Sequence, residues 1–543
     1  MSPDYPVAVL PVASSSPQDP SSPALVAQGH DLQRQGRSRD ALEAFERCLA
    51  QAPDYVPAHL GACVANYHLG RWERGTAHAR VALAAAPADA ARWYVLAQGL
   101  RESRRLREAG VAARKALELR PSLADAWNLL GLVARDSGDV GEARSSFDRA
   151  VAIDPARADL VVNRATCDEQ EGDLDAALRG YAAAERIDPR LPDAAYNRGH
   201  LLHKRAGAIR AAIGAYRDAV ERDPAFAAAH LNLAHALFLD GQFAEAWREN
   251  RWRPPRLRHD AKVAAAGGRY EPRPLDPGAR CRVLGEQGVG DSLFFLRFAP
   301  RLRESGIALS FSGDERLAAM LTRTGLFDEV GGPQGISNEG VLAGDLPMLL
   351  PERERGDAVP PLRLTADPAR VARVRERLAG LGPPPYAALS WRAGIPGAGA
   401  HSFLFKELPL AAFGRALRGH SATWIGVQRE PRPGETETLA GEIGSPVHDF
   451  SAINEDLEEA LAWMSVVDEW IGVSNTNLHL RVGAAREAQV LVPFPPDWRW
   501  MASGASPWFP GARVHRQSPD GAWGDAFASL QRRQGGEDSG SIP

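Results

Sequence analysis

The stretch ADAWNLLGLVARDSGDVGEARSSFDRAVAIDP (residues 124–155) decides the first half of the fold. It carries Trp127, Leu130 and Gly131, then Ala143, Phe147 and a closing Pro155, and the same pattern returns along the chain. Prolines stand at 53, 87, 121, 155, 189 and 224, giving four spacings of 34 residues and one of 35. Small residues at fixed slots let two antiparallel helices approach closely, and the proline ends the second helix. Frames opening at 22, 56, 90, 124, 158, 192 and 227 predict seven helix pairs. The seventh decays into WRENRWRPPRLR (247–258), which reads as a capping helix.

A period of this length with this signature resembles the tetratricopeptide repeat. The resemblance implies an all-α solenoid whose concave face binds peptide. Asn163, Asn197 and Asn232 occupy the sixth position of the last three repeats. An amide offers both donors and an acceptor, so a row of them can pair with an extended peptide backbone whatever its sequence. The same asparagines can equally bond to neighbouring helices. Earlier repeats have Ala27, Gly61, Val95 and Leu129 in that position, which confines any such row to the end nearest the second half. Arginines 251, 253, 256 and 258 crowd the end of the array, as a solvated cap or a contact with the next domain.

Composition narrows the class. At 543 residues the chain is expected to hold two to four domains, and 44% hydrophobic content is enough to fill their cores. A net charge of −4 gives no reason to expect nucleic acid, and no apolar run approaches the length that spans a membrane. Residues 1–21 lack a basic n-region and read as a flexible leader. Cys48, Cys63, Cys167 and Cys281 show no CxxC spacing, which fits a reducing cytoplasm better than a disulfide framework or zinc site.

After the linker AAAGGRYEPRPLDPG (264–278) the periodicity changes. CRVLGE, IALSFS and DEVGG read as strands with helices between them. A second series runs from YAALSW through ATWIGV and EWIGV to AQVLVPF. Short apolar strands alternating with helices imply parallel sheets covered on both faces. The expected plan is therefore a leader (1–21), repeats (22–258), a linker (259–277), two Rossmann-like domains (278–366 and 367–530) facing a cleft, and a tail (531–543).

The turn GEQGVGD (285–291) comes after the first of these strands. It lacks the order GxGxxG of a dinucleotide fold, and no GK[ST] is present to make a triphosphate loop. The run GVGDSLFFLRFAPRLRESG instead resembles the opening of heptosyltransferase-like glycosyltransferases, which have two Rossmann domains in the GT-B arrangement. Lys406, Leu408 and Pro409 in KELP resemble that family's lysine-x-tryptophan-proline element, with leucine in place of tryptophan. EWIGVSNTNLHLRVGAA (469–485) sits where the family has a strand, a polar turn and a His-Leu helix. The closing VPFPPDWRWMASGASPWFPGARVHRQ (492–517) resembles the tail of bacterial proteins that join tetratricopeptide repeats to such a domain. The overall plan is also similar, in architecture, to protein O-linked N-acetylglucosaminyltransferases.

The resemblance implies a metal-independent transfer of a sugar from a nucleotide-sugar to a protein held by the repeats, on serine or threonine of flagellin or another bacterial surface protein. It implies that Asp291, in a loop with Gly288 and Gly290, is the general base; aspartate is also a good helix cap. Glycosyl transfer needs positive potential at the leaving phosphate. Ser474, Asn475, Thr476 and Asn477 open a helix whose free N–H groups attract anions. They depart from the family's Asp-Thr-Gly, which leaves the donor's identity open. Lys406, the only lysine after residue 262, suits the leaving phosphate. His479 either bonds a phosphate or anchors its helix. Trp391, Arg392 and Gly394 lie at a strand tip on the donor side, and Gln428 is expected to reach a base or ribose. Trp498, Trp500 and Trp508 are expected to pack the closing segment over the core. No metal ligands are expected, since the lone DxD triplet (173–175) lies in a repeat turn. Two rival readings are a non-catalytic peptide-binding scaffold, and a transferase acting on a polysaccharide or lipid-linked acceptor.

Overall fold

Helix pairs come first, each closed by the proline that the period placed there. The computed structural model describes residues 21–286, 288–332, 340–394 and 405–534. Among these described residues, those up to 201 with 221–224 form one compact unit, and 202–220 with those from 225 to 534 form a second.

In the first unit the pairs open with Ser21–Arg34 and Ser38–Gln51, and close with Ala158–Gln170 and Leu174–Ile187. Ala124–Asp136 packs on Val140–Ile153 through Gly131, where an added Cβ would lie 2.6 Å from the Phe147 ring. Phe147 is fully buried, so the glycine slot is what admits it. The turn between those helices passes through Gly138 at φ +84°, a left-handed geometry that glycine adopts without strain. Asp173 of the DxD triplet caps Leu174–Ile187, its side chain accepting from Ala176 N at 2.9 Å.

The second unit begins with the final repeat helices, Ile209–Arg222, Ala227–Leu239 and Phe243–Glu249, and then Pro254–Ala265. Two parallel sheets come after them. The first is built from β1 (Arg280–Leu284), β2 (Ala308–Ser312), β3 (Glu329–Gly331) and β4 (Val341–Leu342), in the order β3-β2-β1-β4. After β5 (Tyr386–Ser390), the short strands β6 (Arg392–Ala393) and β7 (Lys406–Glu407) pair antiparallel, bringing Lys406 back beside the tip of β5. The second sheet joins β5 to β8 (Thr423–Gly426), β9 (Val447–Asp449), β10 (Glu469–Gly472), β11 (Ala488–Val492) and β12 (Ala512–Arg516). Its order is β12-β11-β10-β5-β8-β9, all parallel.

Two expectations are corrected here. The repeats do not end as a separate body at residue 258, because the last helices share one core with the sheets. Trp498 stacks on Phe238 at 4.2 Å, and Trp508 packs on Phe243 at 4.6 Å and on Trp247 at 5.8 Å. The tail does not start at 531, since the last helix runs Gly524–Gln534. Of the expected leader (1–21), residues 1–20 lie outside the described residues, and Ser21 opens the first helix.

Of the arginines after the array, Arg253 and Arg256 are buried in contacts while Arg251 and Arg258 are exposed. Arg253 donates to both oxygens of Glu286, at 3.0 and 2.6 Å, and to Asp345 at 2.8 Å. Arg256 approaches Asp345 at 3.1 Å, and the Tyr270 hydroxyl donates to it at 2.9 Å. Glu286 also accepts from Gly344 N at 2.6 Å. The first carboxylate of the GEQGVGD turn is thereby fixed from both sides.

Candidate functional site

In a parallel sheet, ligands gather at the carboxyl ends of the strands where the order reverses. In the second sheet that point lies between β5 and β10. At the tip of β5, Trp391 is 1% exposed and its indole donates to Glu435 at 3.1 Å. Arg392 pairs with Glu435 and donates to Glu430 O at 2.9 Å. The Gln428 Oε1 accepts from the backbone N–H of Trp391 and Arg392, at 3.0 and 2.8 Å, while Nε2 donates to the carbonyls of Arg392 and Arg429, at 3.1 and 2.8 Å. These three side chains build the strand tip. Trp391 and Arg392, expected at the donor-side strand tip, and Gln428, expected to reach a base or ribose, spend these hydrogen bonds on the protein itself. Gly394 has φ +88°, which only glycine takes easily, and the chain beyond it (395–404) lies outside the described residues.

At the tip of β10 the polar turn divides its labour. Asn475 is the N-cap of Thr476–Gly483: its Oδ1 accepts from Leu478 N at 3.2 Å, and its amide donates to Ser390 Oγ at 2.6 Å. Asn477 is buried and braces the loops, donating to Val427 O at 3.2 Å and Asn454 Oδ1 at 2.9 Å. The two asparagines position the turn. Ser474 is buried and Thr476 half-buried, with the Ser474 carbonyl accepting from Lys406 Nζ at 3.5 Å.

The first sheet meets this turn through Gly290. The helix Val289–Phe295 comes after β1, and a Cβ on Gly290 would lie 3.2 Å from His479 Cδ2 and 3.7 Å from Thr476 Oγ1. Glycine at 290 therefore allows the two strand tips to come together. Asp291, the next residue, points at Arg499, whose Nη2 donates to its Oδ1 at 2.5 Å.

From there a row of alternating charges runs inward. Arg499 Nη1 reaches Asp497 at 3.0 Å, and Asp497 reaches Lys406 at 3.7 Å. Asp497 is 2% exposed at the side chain, Lys406 9%, Arg499 13% and Asp291 48%. Burial opposes ionisation of Asp497, yet Arg499 and Lys406 outweigh it and hold the carboxyl at about 2. His235 from the helix Ala227–Leu239 adds to that field. Asp291 sits in a recess of protein although half of its side chain meets solvent. That recess raises its carboxyl above the ordinary range, with Arg499 pulling the other way. Burial lowers the Lys406 ammonium, with Asp497 opposing. His479 is pushed well below its usual value by burial, then by Arg499 and Arg297, so its ring is neutral. It packs edge-on against Phe509 at 5.5 Å and Phe294 at 6.3 Å.

Asp497 and Arg499 were not anticipated from the sequence. The signal available was an Asp-x-Arg pair inside an aromatic run just past the tip of β11, where charge is seldom buried unless it is paired.

In the first unit, the Asn163 amide donates to Asn128 Oδ1 at 2.9 Å. The amide pairing therefore reaches the fourth repeat through Asn128, not through the position of Leu129. Asn197 and Asn232 each sit part-buried on the first helix of their pair, Asn232 three residues before His235.

These elements define a tetratricopeptide-repeat protein with an α/β half of two parallel sheets. The family profile described as tetratricopeptide repeat matches residues 26–90, 94–158 and 201–248. The chain is similar to Protein FlbA of Caulobacter vibrioides, 27% identical over 311 residues, covering 52% of this chain and 51% of that protein. It thus spans about half the length of that relative. Among solved structures it is similar to MamA (20% identity, 30% of this chain, 95% of that one, TM-score 0.28). It is also similar to TTC0263 of Thermus thermophilus (23%, 33%, 98%, 0.30). A third is YrrB, titled a TPR protein with an unusual peptide-binding site (23%, 35%, 96%, 0.27). Among the described residues no helix is long and apolar enough to cross a membrane.

Proposed function

We propose that this chain is a glycosyltransferase of the GT-B plan that moves a sugar from a nucleotide-sugar to a protein acceptor carried by its repeats, a flagellin or another surface protein being the class expected. The observation that carries this reading is the convergence of Asp291, from the first sheet, with Lys406 and the Ser474–Thr476 turn, from the second. Asp291 takes the proton of an acceptor serine or threonine hydroxyl as that oxygen attacks the sugar carbon. A carboxyl raised above its ordinary range is a better base for that step. The bond to the nucleoside diphosphate breaks, and its negative charge is met by the Lys406 ammonium and the N–H groups opening Thr476–Gly483. No metal is required in this scheme.

A peptide-binding scaffold is the second reading, favoured by the Asp291–Arg499 pair and by the engagement of Arg392 and Gln428. One experiment separates the readings, using the full chain, labelled UDP-, GDP-, ADP- and CMP-sugars and cell lysate. The enzyme reading expects labelled protein, lowered about 10²- to 10⁴-fold by Asp291→Asn, as for loss of a general base. No label with any donor would leave the scaffold. Label in carbohydrate that persists after Asn163, Asn197 and Asn232 are all changed to alanine would point to a polysaccharide or lipid-linked acceptor.

A further inference from the structure

We propose that Arg499 is a second ligand for the donor's diphosphate, and that before the donor arrives it holds Asp291 idle. This rests on reading the cleft as a nucleotide-sugar site. A guanidinium presents its donors in a planar fork that matches phosphate oxygens, and an arginine sharing a recess with a lysine forms a natural diphosphate clamp. Arg499 is fixed from behind, independently of Asp291. Asp497 receives its Nη1 and its backbone N–H, both at 3.0 Å. Phe294 and Trp498 flank its charge, with ring centroids 4.9 and 4.7 Å away. Its Nε is buried without a hydrogen-bond partner. The contact with Asp291 lies on the open side, since Asp291 is the one member of the charged row with about half its side chain, 48%, in solvent.

The row of Lys406, Asp497, Arg499 and Asp291 is neutral at rest. Asp497 is shared by two cations, so Lys406 and Arg499 stand on one buried carboxylate. An arriving diphosphate carries more charge than the Asp291 carboxylate and competes with it for the Arg499 fork. When it wins, Arg499 moves from one anion to the other while Asp497 keeps it in place. Asp291 then loses its ion pair at the moment an acceptor hydroxyl needs a base. Donor binding thus arms the base, and acceptors that arrive first meet a carboxylate already engaged.

The sign of one substitution separates this from a simple latch between strand tips. Asp291 competes with the diphosphate, so its removal must tighten diphosphate binding. The test is calorimetric titration of the full chain with UDP, GDP, ADP, CDP and inorganic pyrophosphate. Arg499→Gln is expected to weaken the binding diphosphate about tenfold to hundredfold, and Arg499→Lys less, as for loss of a charge-assisted forked contact. Asp291→Asn is expected to strengthen it severalfold. Unchanged affinity in both Arg499→Gln and Asp291→Asn would overturn this inference and leave the transferase reading standing. If the unaltered chain bound none of the five probes, both would fall. Should Arg499→Gln not fold, Asp291→Asn and Arg499→Lys carry the comparison, and an Asp291→Asn chain binding no tighter than the unaltered one overturns the inference.

Discussion

Asp497 shows how much a single buried carboxylate organises. It is 2% exposed and stands between Lys406 and Arg499, and its carboxyl lies at about 2 in the fold, against roughly 3.9 in an unfolded chain. As pH falls, the unfolded state takes the proton first, so the stabilisation from this group is complete above about pH 4 and is lost between about 4 and 2. Its size is on the order of 2 kcal/mol. Asp497→Asn is therefore expected to lower the melting temperature at pH 6 and to flatten the acid limb of the stability curve. A variant whose acid limb overlays that of the unaltered chain would contradict this account. At this scale the sequence was partly readable. Lys406 stood out as the one lysine after residue 262, and Asp291 through the family resemblance of its glycine turn. Asp497 and Arg499 were hidden because the flanking tryptophans announce packing, and packing is what those rings do. Gln428 was expected to reach a base or ribose; a polar side chain at a strand tip can serve a ligand or its own backbone, and here it bonds the backbone of Trp391, Arg392 and Arg429.

At the scale of elements, the repeat helices are held apart by ring size and brought together by glycine. Gly131 faces the fully buried Phe147, where a Cβ would stand 2.6 Å from Cε1 and 2.9 Å from Cζ. Gly131→Ala is expected to destabilise the first unit by about 1–3 kcal/mol, the usual effect of overpacking a filled core, measurable as a shift in the denaturant midpoint by circular dichroism. Gly131→Ala with Phe147→Leu should recover part of the loss, and no recovery would show that the ring is not the obstacle. The period made all seven helix pairs legible because each slot repeats. The longer strands were equally plain, β11 being buried at every position and apolar at four of its five, as a strand covered on both faces must be. What stayed hidden was short or mixed. β4 has two residues, β9 holds one apolar residue in three, and β12 alternates charge with apolar residues. The run SLFFLRFAPRLRESG reads as one helix, yet Pro300 divides it. Val289–Phe295 gives way to a 3₁₀ turn, Leu296–Phe298, before Ala299–Glu304 resumes, because proline cannot donate to the preceding turn.

At the scale of the whole molecule, the end of the repeats and the glycine-rich turn behave as one mechanical piece. Arg253 is 7% exposed and ties Glu286, five residues before Asp291, to Asp345. On the other side, Phe238, Phe243 and Trp247 form the wall against which Trp498 and Trp508 pack, and Asp497 and Arg499 flank Trp498. Removing the arginine would leave the buried Glu286 without its cation and Asp345 with only Arg256 and Tyr270, about 3–5 kcal/mol for a broken buried network, and each exposed large side chain adds roughly 1.5–3 kcal/mol. Together these approach the roughly 5–15 kcal/mol by which an ordinary domain is stable. A fragment of residues 278–543, cut where composition changes, is accordingly expected to lack a cooperative melt and to bind a hydrophobic dye. A fragment of residues 192–543, which keeps the last repeats, should melt cooperatively. Arg253→Met in the longer fragment should lower its midpoint without abolishing the transition. If the shorter fragment melted as sharply and at the same temperature as the longer, the final repeats would be mere attachments. If it does not, the final repeats and the loop that carries Asp291 belong to one folding body, which a cut at residue 258 would break.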